Sequence, residues 1–192
     1  MIYIIDQPIT EKSHSQLLID IIKEHTSVEI EVIHISNPIN ITDICQIFVS
    51  LTEKIKPIDI ILCAWCIPFN KRLNDLLTEL TEQGITIVAS AGNFHEPIEN
   101  YSPASAMGVI TVGTLNKSGL IAALSNYSNS KSIVWIPGTN YNVGYRNSSG
   151  TSISAAIYCA FLAEARSQND YKLLDKLIVE YKNKVFAELN KA

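Results

Sequence analysis

The first half of the chain alternates isoleucine- and valine-rich runs with stretches of helical periodicity, and this alternation constrains the fold more than any other feature. Residues 2–6 form a first apolar run. Ser13 to His25 follows, with Leu17, Leu18, Ile21 and Ile22 on one helical face. Val28 to Ile35 alternates in the manner of a strand. Asn40 or Thr42 can cap a helix that carries Ile44, Ile47, Phe48, Leu51 and Ile55 and ends before Pro57. Ile58 to Ala64 reads as a strand buried on both faces. A helix starting at Asn70 or Lys71 and reaching Gln83 places Leu73, Leu76, Leu77 and Leu80 inward, with Gly84 closing it. Ile85 to Ala89 is the next buried run. Strands apolar on both faces, separated by helices, predict an α/β fold with a parallel sheet covered on both sides.

Beyond Asn93 the pattern changes. Short strands are expected at Val109–Val112, Ile121–Leu124 and Ile133–Ile136, between turns rich in Gly, Ser, Asn and Pro. A long apolar helix is expected from Thr151 to Glu164 or Ala165. An amphipathic helix over 170–190 follows, with Leu174, Leu177, Ile178, Tyr181, Val185 and Leu189 at helical spacing. No internal repeat or linker divides the chain, so residues 1–192 are expected to form a single domain.

Composition narrows the function classes. With 47% hydrophobic and 18% charged residues, the chain can bury a core and does not read as disordered. A net charge of −4 with scattered Lys and Arg gives no footprint for nucleic acid or anionic lipid. No apolar run approaches the ~18 residues of a membrane span, and the start has neither the basic nor the apolar part of a signal peptide. Cys45, Cys63, Cys66 and Cys159 lie inside apolar segments and are expected to be buried free thiols. Cys63-Ala64-Trp65-Cys66 has C-x-x-C spacing but no second ligand pair, so neither a metal nor another cofactor is expected. These features together favour the cytoplasm.

Ligands of open parallel sheets bind beyond the carboxyl ends of the strands. Asp6 ends the first run, Ala91-Gly92-Asn93 follows the Ile85–Ala89 run, and Ser152 opens the long helix. A hydroxyl at a helix N-terminus sits at the positive end of the dipole, which favours developing negative charge, although a serine there is also an ordinary cap. Gly92-Asn93 reads equally as a common turn or as a close approach with an amide donor. His14 can accept a serine proton while a carboxylate orients its other nitrogen, or it can be a partly exposed helix-start residue. His25 ends a helix, His34 lies inside a strand, and His95 could at most line a pocket.

These residues resemble the subtilisin family of serine peptidases, closest to its proteinase K branch. The strongest stretch runs from Val88 to Ser154. It contains Ala91-Gly92-Asn93, Asn100-Tyr101-Ser102-Pro103-Ala104-Ser105, Val109-Ile110-Thr111-Val112-Gly113, Leu124-Ser125-Asn126-Tyr127, Pro137-Gly138-Thr139 and Ser149-Gly150-Thr151-Ser152 in the family's order. The resemblance implies a three-layer α/β/α domain with a mostly parallel central sheet, here truncated. It implies Asp6 as orienting carboxylate, His14 as general base and then acid, Ser152 as nucleophile, and Asn93 with the Ser152 N–H as oxyanion hole. It also implies a peptide substrate added as a strand along Ala64-Trp65-Cys66, with a first pocket reaching Ala91 and Gly92 and the Tyr101–Ala104 loop. Trp65 reads equally as a core aromatic.

The chain departs from the family pattern at several positions. Asp6-Gln7-Pro8 stands for Asp-Thr-Gly or Asp-Ser-Gly, and His14-Ser15-Gln16-Leu17 for His-Gly-Thr-His. Ala156 replaces a proline, Cys66 a glycine, and the connection from Asp6 to His14 is far shorter than usual. Cys66 is expected to narrow the first pocket toward small residues, while Glu96 and Glu99 at its rim would favour a basic one. No prodomain and no acidic calcium loop is evident, as expected of an intracellular enzyme with few substrates, such as a dedicated precursor peptide. The function expected is therefore a serine endopeptidase of narrow specificity. A catalytically inactive, peptide-binding relative is the alternative, and a nucleotide-binding domain is disfavoured because no Gly-rich phosphate loop follows a strand.

Overall fold

The structure is a computed structural model that describes residues 1–36, 38–144 and 146–187. Each early apolar run forms a strand whose neighbouring side chains point into opposite layers. In β1 (Ile2–Asp6), Ile2 and Ile4 enter one layer and Tyr3 and Ile5 the other. The chain continues through α1 (His14–His25), β2 (Ile30–His34), α2 (Ile41–Leu51) and β3 (Ile60–Cys63). β4 (Ile67–Pro68), α3 (Lys71–Glu82), β5 (Thr86–Ser90), β6 (Tyr101–Ser102) and β7 (Ile110–Leu115) follow. β8 (Val134–Pro137), β9 (Tyr141–Asn142), β10 (Asn147–Ser148), α4 (Thr151–Ser167) and α5 (Tyr171–Ala187) complete it. The central sheet has six strands in the order β2-β1-β3-β5-β7-β8, and every pairing in it is parallel.

The helices cover both faces. α1 and α4 pack on the layer that contains Ile2, Ile4, Ile60, Leu62, Val88 and Val112, and α2 and α3 pack on the layer of Tyr3, Ile5, Ile61, Cys63, Ile87 and Ala89. α4 is apolar almost all round because it lies between the sheet, α1 and α5, and a helix with no polar face is stable only when enclosed. Its alanines (155, 156, 160, 163 and 165) are all buried and let these neighbours approach closely. α5 uses Leu174, Leu177, Ile178 and Tyr181 to pack beside α4, and Tyr181 Oη donates to the Pro137 carbonyl at 3.2 Å. The expected continuation of this helix to 190, including Leu189, falls outside the described residues.

Side-chain caps fix where the helices start. Ser13 Oγ accepts from Gln16 N at 3.1 Å, Asn40 Oδ1 from Thr42 N at 2.9 Å, and Asn70 Oδ1 from Leu73 N at 3.0 Å. Asn40, rather than Thr42, is therefore the cap of α2. Gly84 takes a φ of +89° after α3, a conformation open to glycine.

One expected strand is absent. Ile121–Leu124 makes a single antiparallel bridge, Ile121 to Leu115, and otherwise turns. Both sides of β7 within the sheet are already taken by β5 and β8, so this segment has no ladder to join. Leu120 and Ile121 stay exposed, which explains why its apolar pattern misled. Conversely, two small antiparallel ribbons, β4–β6 and β9–β10, have no periodic signature because each strand is two residues long.

Candidate active site

The carboxyl ends of β1, β3 and β5 and the N-termini of α1 and α4 meet at one end of the sheet. β1 delivers Asp6, which is 4% exposed. A short loop then returns the chain to α1. Ser13 N donates to Thr10 O at 3.0 Å, and Ser15 Oγ ties the Gln7 carbonyl to the first turn of the helix at 2.5 Å. This loop brings His14 Nδ1 to Asp6 Oδ2 at 2.6 Å, while Asp6 Oδ1 accepts the Gln7 N–H at 2.8 Å. A carboxylate accepting the Nδ1 proton leaves the Nε2 lone pair free to take a proton from elsewhere. The His14 side chain is 38% exposed, and among the described residues its Nε2 makes no hydrogen bond.

Ser152 is the second residue of α4 and is half-buried. Among the described residues its Oγ makes no hydrogen bond to His14, and its main-chain N–H has no protein acceptor. The unpaired N–H is one of the free donors that every helix N-terminus presents.

Thr151 fixes the neighbouring amide. Its N–H and its Oγ–H both donate to Asn93 Oδ1, at 2.9 and 3.0 Å, and its Oγ accepts the buried Gly92 N–H at 3.1 Å. With Oδ1 engaged in this way, Asn93 Nδ2 is turned outward as a donor. Nδ2 and Ser152 Oγ lie 3.2 and 3.6 Å from the point where a Cβ on Gly150 would stand. A side chain at Gly150 would therefore crowd the space between the hydroxyl and the amide.

Asn126 organises the loop that carries Asn93. It is fully buried, donates from Nδ2 to Ala91 O at 2.9 Å, and accepts from Phe94 N and Glu96 N at 2.9 and 3.1 Å. Gly92 has a φ of +103°, and a Cβ on it would collide with Asn126 Nδ2. Thr151 and Asn126 stand inside motifs visible in the sequence, but nothing in the pattern marks either as the support of Asn93.

The proposed substrate edge follows β3. Ala64 is buried, Trp65 and Cys66 are half-buried, and among the described residues their main-chain groups have no backbone partner. Trp65 turns its ring toward the layer of α2 and α3 and donates Nε1–H to Ile5 O at 2.8 Å. Its ring thus serves as packing. Cys66 Sγ lies 3.2 Å from the Cβ position of Gly92. Burial pushes its thiol up to about 11. Phe94 stacks on Tyr101 with ring centroids 5.1 Å apart. Tyr101 Oη donates to Glu96 Oε2 at 2.7 Å, and Ser128 and Ser130 hydroxyls both donate to Glu99 Oε1 at 2.6 Å. Each carboxylate thus accepts from neutral hydroxyls on one of its two oxygens.

Other candidates lie apart. His25 meets Tyr141 and Phe161 at the far end of α1, His34 is exposed on edge strand β2, and His95 packs edge-on to Tyr127. All four cysteines are free, with Cys45, Cys63 and Cys159 buried. Among the described residues no cluster of three or more His, Cys, Asp or Glu could hold a metal, and no helix is long and apolar enough to cross a membrane.

The Subtilase family model matches residues 49–182 of the chain. A subtilisin-like protease 1 of Pseudogymnoascus destructans is 38% identical over 72 residues, 38% of this chain and 18% of that relative. The chain thus aligns with less than a fifth of this relative's length. Among solved structures, a cold-adapted subtilisin-like serine proteinase superposes with a TM-score of 0.72 at 16% identity, covering 92% of this chain and 78% of the other. The self-cleaved protease domain of PatA superposes with a TM-score of 0.69 at 16% identity, covering 88% and 82%.

Proposed function

Since the chain belongs to the subtilase family, we propose that it is a serine endopeptidase with Ser152 as nucleophile, His14 as general base and Asp6 as orienting carboxylate. The observation that carries this reading is the 2.6 Å bond from His14 Nδ1 to Asp6 Oδ2, formed across a connection far shorter than the family's usual one. Ser152 Oγ attacks the peptide carbonyl as its proton passes to His14 Nε2. The resulting oxyanion accepts hydrogen bonds from Asn93 Nδ2 and the Ser152 N–H. His14 then gives the proton to the leaving amine, and water, deprotonated by the same nitrogen, releases the acyl group from Ser152.

The substrate lies as an added strand along Ala64-Trp65-Cys66. Its residue before the cut faces Ala91, Gly92 and the Cys66 thiol, so the reading favours a small side chain there. Hydrogen bonds from neutral hydroxyls do not cancel a carboxylate's charge, so Glu96 and Glu99 keep a basic side chain as the alternative there. Narrow specificity of this kind suits one precursor or partner peptide.

The missing bond between Ser152 and His14 favours a second reading, an inactive module that captures a peptide in the same groove. A fluorophosphonate probe separates the two. Covalent labelling of the wild type, lost in Ser152→Ala and nearly lost in His14→Ala, supports the peptidase. No labelling at any pH in a folded protein leaves the binding module.

A further inference from the structure

We propose that Lys131 is a positioning residue for the substrate groove: its ammonium group grips the segment after β6 and sets the wall of the first pocket. The proposal rests on the peptidase reading for its consequence, and on the following geometry for its substance. Lys131 Nζ donates to Ala104 O at 2.7 Å, Ala106 O at 2.7 Å and Thr111 Oγ1 at 3.0 Å. The Thr111 hydroxyl spends its own proton on Ala104 O at 2.7 Å, so it meets the lysine as an acceptor. The cage therefore consists of three oxygens and no donor, and it matches the three N–H bonds of an ammonium ion one to one.

This is not the setting of a solvated surface lysine. Ala104, Ala106 and Thr111 are all at most 1% exposed. Burial pushes the amine down to about 8, with Glu99 acting the other way. The all-acceptor cage also favours the charged form, because a neutral amine would turn its lone pair on an oxygen. The turn that presents Lys131 is itself fixed, since Ser128 Oγ accepts the Lys131 N–H at 2.8 Å and donates to Glu99 at 2.6 Å.

The grip reaches the groove in two steps. Ala104 packs in one cluster with Ala91 and Ile98, and Ala91 immediately precedes Gly92 and Asn93. β6, just before the gripped segment, pairs with β4, which continues the edge Ala64–Cys66. Lys131 thus joins the segment leading to β8 to the pocket wall without touching substrate. A cavity of ≈ 400 Å³ lined by Ile98, Glu99, Ser105, Met107, Ser130 and Lys131 opens beside it, large enough to admit a small amine.

The test uses Lys131→Met, Lys131→Arg and Lys131→Ala, with propylammonium chloride added to the last. Hydrogen exchange of residues 103–111 at pH 7 is followed in each, with peptide hydrolysis beside it. The expected result is lost protection in Lys131→Met and Lys131→Ala, and its return in Lys131→Ala with propylammonium but not with tetramethylammonium at equal ionic strength. Lys131→Arg keeps part of the protection. KM rises about tenfold or more in Lys131→Met while kcat changes by less than about twofold. Unchanged exchange in Lys131→Ala, or loss that propylammonium does not reverse, overturns the proposal. So does a fall in kcat at constant KM. The exchange readout needs no turnover, so failure of the grip and failure of the peptidase reading remain distinguishable.

Discussion

Replacing Thr151 by valine keeps the shape of the side chain and removes one hydroxyl at the head of α4. That hydroxyl accepts the Gly92 N–H and donates to Asn93 Oδ1, and Thr151 is fully buried. The Gly92 N–H is also buried, so it loses its partner with no water to replace it, at a cost of about 1–3 kcal/mol. The lost bond to Asn93 adds about 1 kcal/mol, for a destabilisation of about 2–4 kcal/mol in all. Thr151→Ser retains both bonds and should lose only a methyl group, about 0.8 kcal/mol. Urea denaturation of the three proteins, with equal m-values, measures the difference. Activity supplies a second arm. In the proposed mechanism Thr151 acts on the oxyanion through Asn93, so the Thr151→Val and Asn93→Ala effects on kcat should be strongly sub-additive in the double mutant. A Thr151→Val protein within about 0.5 kcal/mol of wild type, or fully additive kcat losses, would refute this account.

Three further outcomes are expected. Asn93→Ala should lower kcat by about 10²–10³ with a small change in KM, the cost known for subtilisin's own oxyanion amide, and an unchanged kcat would remove Asn93 from the oxyanion hole. Cys66→Gly should widen the first pocket, so the ratio of kcat/KM for a large over a small residue before the cut should rise about tenfold or more. A peptide library that shows the same preference in both proteins would exclude Cys66 as the constraint. Alkylation of Cys66 by iodoacetamide in the folded protein should increase as pH passes about 11, because burial holds the thiol protonated. Unfolded chains release that proton at a lower pH, so the contribution of Cys66 to stability is complete below the ordinary thiol range. It falls as pH rises toward about 11. Mass spectrometry of a Cys45/Cys63/Cys159-retaining protein resolves the site, and rapid labelling at pH 8 would contradict it.

Much of the sheet could be read from the sequence because both periods in it are strong. Ile2 to Ile5 alternate between two apolar layers, and Leu73, Leu77 and Leu80 recur on one helical face. The nearness of Asp6 to His14 was not legible in the same way. It depends on a Thr10–Ser13 turn and on the Ser15–Gln7 tie, neither of which leaves a pattern. Trp65 could have faced either way at a strand end, and its N–H found the Ile5 carbonyl. The hydroxyl partners of Glu96 and Glu99 were not legible, because they arrive from Tyr101 and from the Ser128–Ser130 turn. The segment 121–124 failed for another reason. Its apolar residues suit a strand, but the topology had already filled both sides of β7.

The short connection between Asp6 and His14 also divides the site by the entropy of its assembly. The two residues are eight positions apart, so closing their loop costs little, and the pair belongs to one strand–loop–helix unit. The other half is remote: Asn93 and Thr151 are 58 positions apart, and the α1–α4 contact of Thr26 with Glu164 spans 138. Those contacts form only when the whole sheet has closed, and such long-range closure is slow. During refolding the imidazole–carboxylate pair should therefore be in place before the hydroxyl has anywhere to stand. The imidazole–carboxylate pair is local to the β1–α1 unit, while the hydroxyl and the amide belong to the finished fold.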